Sequence, residues 1–219
     1  MARLIALLLL CALLVAGCGG DDSSDEATAR STPASTCDPA EAPEPKGEGT
    51  LAKPQARLDR SKTYVATVST NCGDFEITLD AKRAPRTGGS FKSLADQGFY
   101  DDTTFHRIVP GFLIQGGDPK ADSTGGPGYT VVEAPPRDLA YTKGVVAMGK
   151  TDTDAAGTSG SQFFVVTAED AQLAPEYALL GTVTGGQDVV DKIGVIESDP
   201  ATDAPVEPIV ISSIEVSGR

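Results

Sequence analysis

The sequence predicts a mainly β domain, either a closed barrel or a sandwich, with two short helices. Short β-branched runs separated by turn residues recur along most of the chain, and only two segments show helical spacing. Because the helical segments do not alternate with the strands, a parallel βαβ array is disfavoured. The length of 219 residues suits one domain with appendages.

Composition and charge exclude several classes of function. Hydrophobic residues make up 40% of the chain and charged residues 22%, which is ordinary globular usage. The formal net charge of −13 repels phosphate backbones, so nucleic acid is not expected as a partner. His106 is the only histidine, which excludes a multi-histidine metal site and makes it the sole candidate for a catalytic histidine.

Residues 1–17 have the pattern of a secretory signal peptide. Arg3 precedes an apolar run over residues 4–16, which is too short to span a bilayer as a helix. The run ends in VAGC at residues 15–18, which resembles the lipobox of bacterial lipoproteins, where cleavage precedes a cysteine that is then acylated. This resemblance implies a lipid anchor at Cys18 and an extracytoplasmic location on the bacterial cell membrane. Secretion of a soluble form is the alternative.

Residues 18–57 are predicted to form an acidic, disordered tether. Between residues 19 and 49 there are eight acidic and two basic residues, many Ser, Pro and Ala, and no aromatic residue. All twelve aromatic residues lie between Tyr64 and Tyr177. Because aromatic side chains dominate cores, the folded domain is placed over residues 58–219.

Two of the four cysteines are available for a disulfide. Cys11 lies in the signal peptide and Cys18 is assigned to the lipid, which leaves Cys37 and Cys72. Outside the cytosol such a pair tends to oxidise, and closing this loop would stabilise the fold by ~3–4 kcal/mol on the chain-entropy model. We therefore predict a disulfide between Cys37 and Cys72.

The folded domain is predicted to begin with a β-hairpin, whose runs at 64–70 and 75–79 flank a turn. Apolar residues at helical spacing after Pro85 and after Gly186 predict the two short helices. Six further strands bring the predicted total to eight, at 103–109, 112–117, 145–148, 162–167, 179–183 and 209–216.

Three other motifs are weak. GTSGS at 157–161 departs from the hydrolase elbow at its last position and lacks a strand-turn-helix context. GGPG at 125–128 lacks the phosphate-loop pattern and is interpreted as a turn. Asp152 and Asp154 lack the later ligands of a calcium loop and are interpreted as solvated.

A group of polar residues within predicted strands is the one set that indicates a binding site. Side chains two apart share a strand face, so Leu113 projects with Gln115, and Gln162 with Phe164. Arg107 lies in the adjoining strand, so a guanidinium, two amides and apolar surfaces converge on one shallow site. Spacing alone equally allows Arg107 to be a surface charge and the glutamines to satisfy strand edges.

Two longer motifs resemble one family. Residues 98–101, GFYD, with residues 105–118, FHRIVPGFLIQGGD, resemble the signature of the cyclophilin peptidyl-prolyl cis-trans isomerases. GSQFF at 160–164 resembles their second signature. The resemblance covers residues 63–216 and implies a closed eight-stranded antiparallel β-barrel capped by two short α-helices.

The resemblance also implies a set of site residues. Arg107 matches the catalytic arginine, and Phe112 and Gln115 are the other two implied catalytic residues. Leu173 and Tyr177 occupy places where the family often has a leucine and a histidine. The loop between Lys150 and Ser161 is longer than in the eukaryotic pattern. The implied substrate-binding residues are Leu113, Gly149, Lys150, Gln162, Phe164, Leu173 and Tyr177.

The activity that follows is isomerisation of X-Pro bonds during folding of exported proteins. Resonance holds the amide planar with a barrier of ~18–20 kcal/mol. An apolar pocket for the proline ring and a hydrogen bond from Arg107 to the prolyl nitrogen would stabilise the twisted state. No cofactor or metal is required, and a monomer is expected. The alternatives are a non-catalytic module that binds proline-containing segments and a solute-binding lipoprotein.

Overall fold

The computed structural model describes residues 37–219, and most of its strands belong to one curled sheet. The elements in chain order are β1 Tyr64–Thr70, β2 Gly73–Leu79, α1 Pro85–Ala95, β3 Thr103–Thr104, β4 Arg107–Val109, β5 Leu113–Gly116, β6 Val131–Val132, β7 Val145–Met148, β8 Thr158–Ser159, β9 Phe163–Val166, β10 Leu179–Gly185, α2 Gln187–Ile193 and β11 Val210–Gly218.

The main sheet has nine antiparallel strands in the order β3-β11-β1-β2-β10-β7-β9-β5-β4. Its end strands, β3 and β4, do not pair with each other, so the sheet forms a half-barrel. The prediction of a mainly β fold with two helices is confirmed, whereas the prediction of a closed, eight-stranded barrel is wrong. A separate two-stranded sheet, β6 with β8, lies outside the predicted strands and helices.

The extra strand arises because the predicted strand 103–109 is broken in the middle. The backbone N–H of Phe105 donates to the Ile209 carbonyl at 2.9 Å, and Phe105 and His106 lie outside both flanking strands. β3 therefore pairs with β11 while β4 pairs with β5. One predicted strand thus supplies both edges of the sheet.

The hairpin and the helices follow their sequence patterns. β1 and β2 form the predicted antiparallel hairpin, in a register from Tyr64 opposite Leu79 to Thr70 opposite Gly73. α1 starts with a proline at its first position, where the missing N–H costs no hydrogen bond, and it buries the face that carries Phe91.

Aromatic rings fill the core behind β9. Phe91, Tyr100, Phe105 and Phe163 are fully buried, and Phe163 lies 5.7 Å from Phe91 and 5.8 Å from Phe105 between ring centroids. Because side chains alternate along a strand, Phe163 in this core directs Phe164 to the opposite face of the sheet. The core therefore determines which face of β9 carries the site.

The predicted disulfide between Cys37 and Cys72 is present. It joins the first described residue to the turn of the β1–β2 hairpin. The N–H of Asp38 also donates to the Asn71 carbonyl at 2.8 Å, so the start of the described chain is held against the domain.

Residues 37–57, here called the strap, are the described part of the predicted tether. The strap contains no helix or strand, but it packs against the domain instead of extending from it as a free tether. The N–H of Gly49 donates to the Gly126 carbonyl at 2.9 Å, and the backbone of Gly89 in α1 packs closely against Arg57. Glycines here allow the two backbones to approach closely.

The predicted signal peptide and the predicted lipid attachment at Cys18 lie outside the described residues. Within residues 37–219, no helix is both long enough and apolar enough to cross a membrane.

Candidate active site

Strand register brings the predicted polar residues together. Arg107 on β4 lies directly opposite Gln115 on β5, and Gln115 lies opposite Phe164 on β9. Directly opposed side chains share a face of the sheet. The register therefore turns residues from three separate chain segments into one row across the sheet.

The row is connected by side-chain hydrogen bonds. Arg107 Nη1 donates to Gln115 Oε1 at 3.4 Å, and Gln115 Nε2 donates to Gln162 Oε1 at 2.9 Å. Gln162 Nε2 in turn donates to the Gly125 carbonyl at 2.9 Å. The structure therefore joins Arg107, Gln115 and Gln162 in one hydrogen-bonded chain.

Asp203 is the residue that the sequence analysis missed. Its Oδ2 lies 3.0 Å from both Nε and Nη2 of Arg107. The Asp203 carbonyl also accepts the N–H of Ile108 at 2.8 Å, which ties its loop to β4. Asp203 is far from Arg107 in the chain, and it has no motif around it that could have identified it.

An apolar patch flanks the polar row. Leu113 and Phe164 are buried in a cluster on this face of the sheet, and Phe112, Leu173 and Tyr177 pack partly exposed against it. The rings of Phe164 and Tyr177 meet edge to face at 5.3 Å between centroids. The structure thus brings all five predicted apolar and aromatic site residues to one place.

Tyr141 holds the segment that carries Leu173 and Tyr177. Its hydroxyl donates to the Tyr177 carbonyl at 2.6 Å and accepts the Tyr177 N–H at 3.0 Å. Burial raises the pKa of Tyr141 to about 12, so it remains a hydrogen-bond donor at neutral pH.

A cleft of about 910 Å³ opens beside the polar row. Arg107, Gln115, Gln162, Gly149 and Lys150 all line it. The N–H of Gly149 donates to the Gln162 carbonyl at 2.8 Å, which fixes the backbone at the edge of the cleft. An extended peptide can therefore contact the cleft and the apolar patch together.

Lys150 points its charge away from solvent. Its side chain is only 5% exposed, with Nζ 3.7 Å from Glu176 Oε2 and 5.5 Å from the ring centroid of Tyr177. It stiffens the rim and does not present a free cation to the cleft.

His106 is buried, and burial lowers its pKa below the ordinary value of 6.5. A neutral imidazole next to Arg107 adds no second positive charge to the site. His106 does not line the cleft. Within residues 37–219, no cluster of three or more His, Cys, Asp or Glu side chains is arranged to hold a metal ion.

Comparison with known proteins identifies close relatives. Residues 65–216 match the family described as cyclophilin type peptidyl-prolyl cis-trans isomerase/CLD. The chain is 38% identical over 172 residues to peptidyl-prolyl cis-trans isomerase B of Streptomyces anulatus, covering 70% of this chain and 97% of that protein. It is 37% identical over 171 residues to a probable peptidyl-prolyl cis-trans isomerase A of Mycobacterium leprae, covering 69% and 91% of the two chains.

A solved structure has the same fold. A cyclophilin type peptidyl-prolyl cis-trans isomerase of Cryptosporidium parvum matches with a TM-score of 0.66 and 29% identity, covering 71% of this chain and 98% of that one. A second structure of that protein was determined in the presence of the dipeptide Ala-Pro.

Proposed function

The chain belongs to the cyclophilin family of peptidyl-prolyl cis-trans isomerases, and we propose that it uses Arg107 to accelerate X-Pro isomerisation in exported proteins. One observation carries the assignment of Arg107: its guanidinium is held on two sides by Asp203 and Gln115 and lies in the same row as the apolar patch around Phe164.

The mechanism follows from the resonance of the amide. In the planar ground states the prolyl nitrogen shares its lone pair with the carbonyl, whereas in the twisted state the lone pair returns to nitrogen and can accept a hydrogen bond. A donor placed at that nitrogen stabilises the twisted state more than either planar state, which lowers the barrier.

Arg107 has the donors that this mechanism requires. A guanidinium carries five N–H groups. Asp203 engages Nε and Nη2, and Gln115 engages Nη1, so each Nη atom has one further N–H for a substrate. The proline ring would pack against Phe112, Leu113 and Phe164. The carbonyl group of the residue before the proline would then rotate about the X-Pro bond.

Substitution of Arg107 tests the proposal. Because the donor acts mainly in the twisted state, Arg107→Ala should lower kcat/KM for a proline peptide by roughly 10²–10³, as when one oxyanion-hole donor is removed. Arg107→Lys should restore little, since a point charge on a flexible stem lacks the planar fork. An Arg107→Ala protein that keeps most of its activity and its melting temperature would refute the assignment.

The cellular setting is part of the same proposal. The signal peptide over residues 1–17 and the lipobox at residues 15–18 support a lipid anchor at Cys18 outside the cytoplasm. The disulfide between Cys37 and Cys72 supports an oxidising compartment. Mass spectrometry of the mature N-terminus tests this: an acylated Cys18 is expected, and an uncleaved or unmodified N-terminus would contradict it.

A further inference from the structure

The strap forms part of the wall of the cleft. The N–H of Gly49 donates to the Gly126 carbonyl and the N–H of Leu51 to the Pro127 carbonyl, each at 2.9 Å. A Cβ on Gly128 would lie 2.4 Å from the Gly49 carbonyl oxygen, so the two backbones are in direct contact. The position of the strap beside the cleft is therefore fixed by backbone contacts.

This contact places one strap side chain in the cleft. Glu48 lines the cleft, half exposed, with its Oε2 3.3 Å from Lys120 Nζ. Glu48 lies outside residues 65–216, the part of the chain that matches the family. The cleft thus contains a carboxylate that the isomerase domain itself does not supply.

The charges around the cleft leave it negative. Asp152 and Asp154 line it together with Glu48. Both cations that line the cleft face a carboxylate, since Arg107 pairs with Asp203 and Lys150 with Glu176. Lys120, outside the lining, pairs with Glu48. Hydrogen bonds from Thr151 lower the pKa of Asp154, so this carboxyl remains charged at neutral pH. The nearby charge of Lys150 also lowers the pKa of Asp154. Three carboxylates, Glu48, Asp152 and Asp154, therefore line the cleft against two cations, Arg107 and Lys150.

We propose that the cleft selects proline-containing segments that carry a lysine or arginine near the proline, and that Glu48 is a specificity-determining residue supplied by the strap. This inference rests on the proposed isomerase function and names its substrate class. A cationic side chain entering the cleft meets excess negative charge, whereas an acidic side chain is repelled.

The inference is tested by comparing peptides that differ at a single position. Peptides with one proline, and with Lys, Ala or Glu at each nearby position on either side, are compared by kcat/KM for the full chain. At one or more positions the order should be Lys above Ala above Glu. Since exposed ion pairs contribute little, Glu48→Gln should narrow the Lys-to-Glu ratio by roughly three- to tenfold at low salt. The ratio should also shrink as salt is added.

Matched variants separate a local effect from a general one. Glu48→Lys should narrow the Lys-to-Glu ratio further than Glu48→Gln does, while Glu44→Gln, which removes an exposed charge from the same strap outside the cleft, should leave the ratio unchanged. Equal effects of Glu48→Gln and Glu44→Gln, or no preference in the unmodified chain, would overturn the inference. The Ala peptides report on the isomerase itself, so failure to turn them over would instead contradict the proposed function.

Discussion

Removing the Asp203 carboxylate should slow catalysis without unfolding the protein. Two of the three side-chain contacts of Arg107 go to Asp203, and Gln115 makes the third at the longer distance of 3.4 Å. An arginine side chain has about 2 kcal/mol of rotamer entropy to regain. If Arg107 regains about half of this rotamer entropy, placing its guanidinium in the twisted state costs about 1 kcal/mol more. That cost corresponds to a loss of about five- to tenfold in kcat/KM.

The choice of replacement makes this test sharp. Asp203 has φ +59°, where alanine would add backbone strain, so Asp203→Gly is the cleaner deletion. Both contacts go to the single oxygen Oδ2, so one amide oxygen can reproduce them. Asp203→Asn, which tolerates positive φ, should therefore retain most of the activity.

The assay is isomerisation of a proline peptide, with kcat and KM measured separately. kcat should fall more than KM rises, because the proposed hydrogen bond from Arg107 forms in the twisted state. The pair is partly exposed, with 32% and 36% of the two side chains accessible, so its contribution to stability is only ~0–1 kcal/mol. Wild-type activity in Asp203→Gly would refute the positioning role. An equal loss in Asp203→Asn would show that charge matters, and not the placement of the oxygen.

Three further predictions concern stability. Replacing Cys37 and Cys72 by serine should lower the free energy of unfolding by ~3–4 kcal/mol in denaturant titrations, and an unchanged midpoint would contradict the chain-entropy argument. Tyr141→Phe leaves the Tyr177 backbone N–H and carbonyl without their partner, so it should cost ~1–3 kcal/mol of stability and raise KM for proline peptides. Burial lowers the pKa of His106, so the unfolded chain binds its proton first, and the free energy of unfolding should fall as pH drops below 6.5. His106→Gln should flatten this dependence in melting experiments across that range.

Local patterns in the sequence determined most of the elements. Alternation and turn residues predicted the β1–β2 hairpin, and an apolar run predicted β7 with the bounds that it has, Val145–Met148. Helical spacing after a proline predicted α1. These signals are readable because each depends on neighbours within a few residues.

Resemblance to a family identified the members of the site, and strand register then arranged them. Arg107, Gln115 and Phe164 were named from motifs, but their alignment across three strands depends on the pairing of β4, β5 and β9. Side-chain direction along a strand is predictable, whereas the partner strand is not.

Only the tertiary structure decided three features. The strand predicted over 103–109 is divided because its first part pairs with β11, far along the chain, and its last part pairs with β5. Asp203 reached Arg107 across 96 residues. The strap was predicted to be part of a disordered tether, and beyond the predicted disulfide it is held by backbone contacts to the segment around Gly126 and Gly128. In each case the deciding contact joins segments distant in the chain, and neither composition nor periodicity within a segment carries information about such a contact.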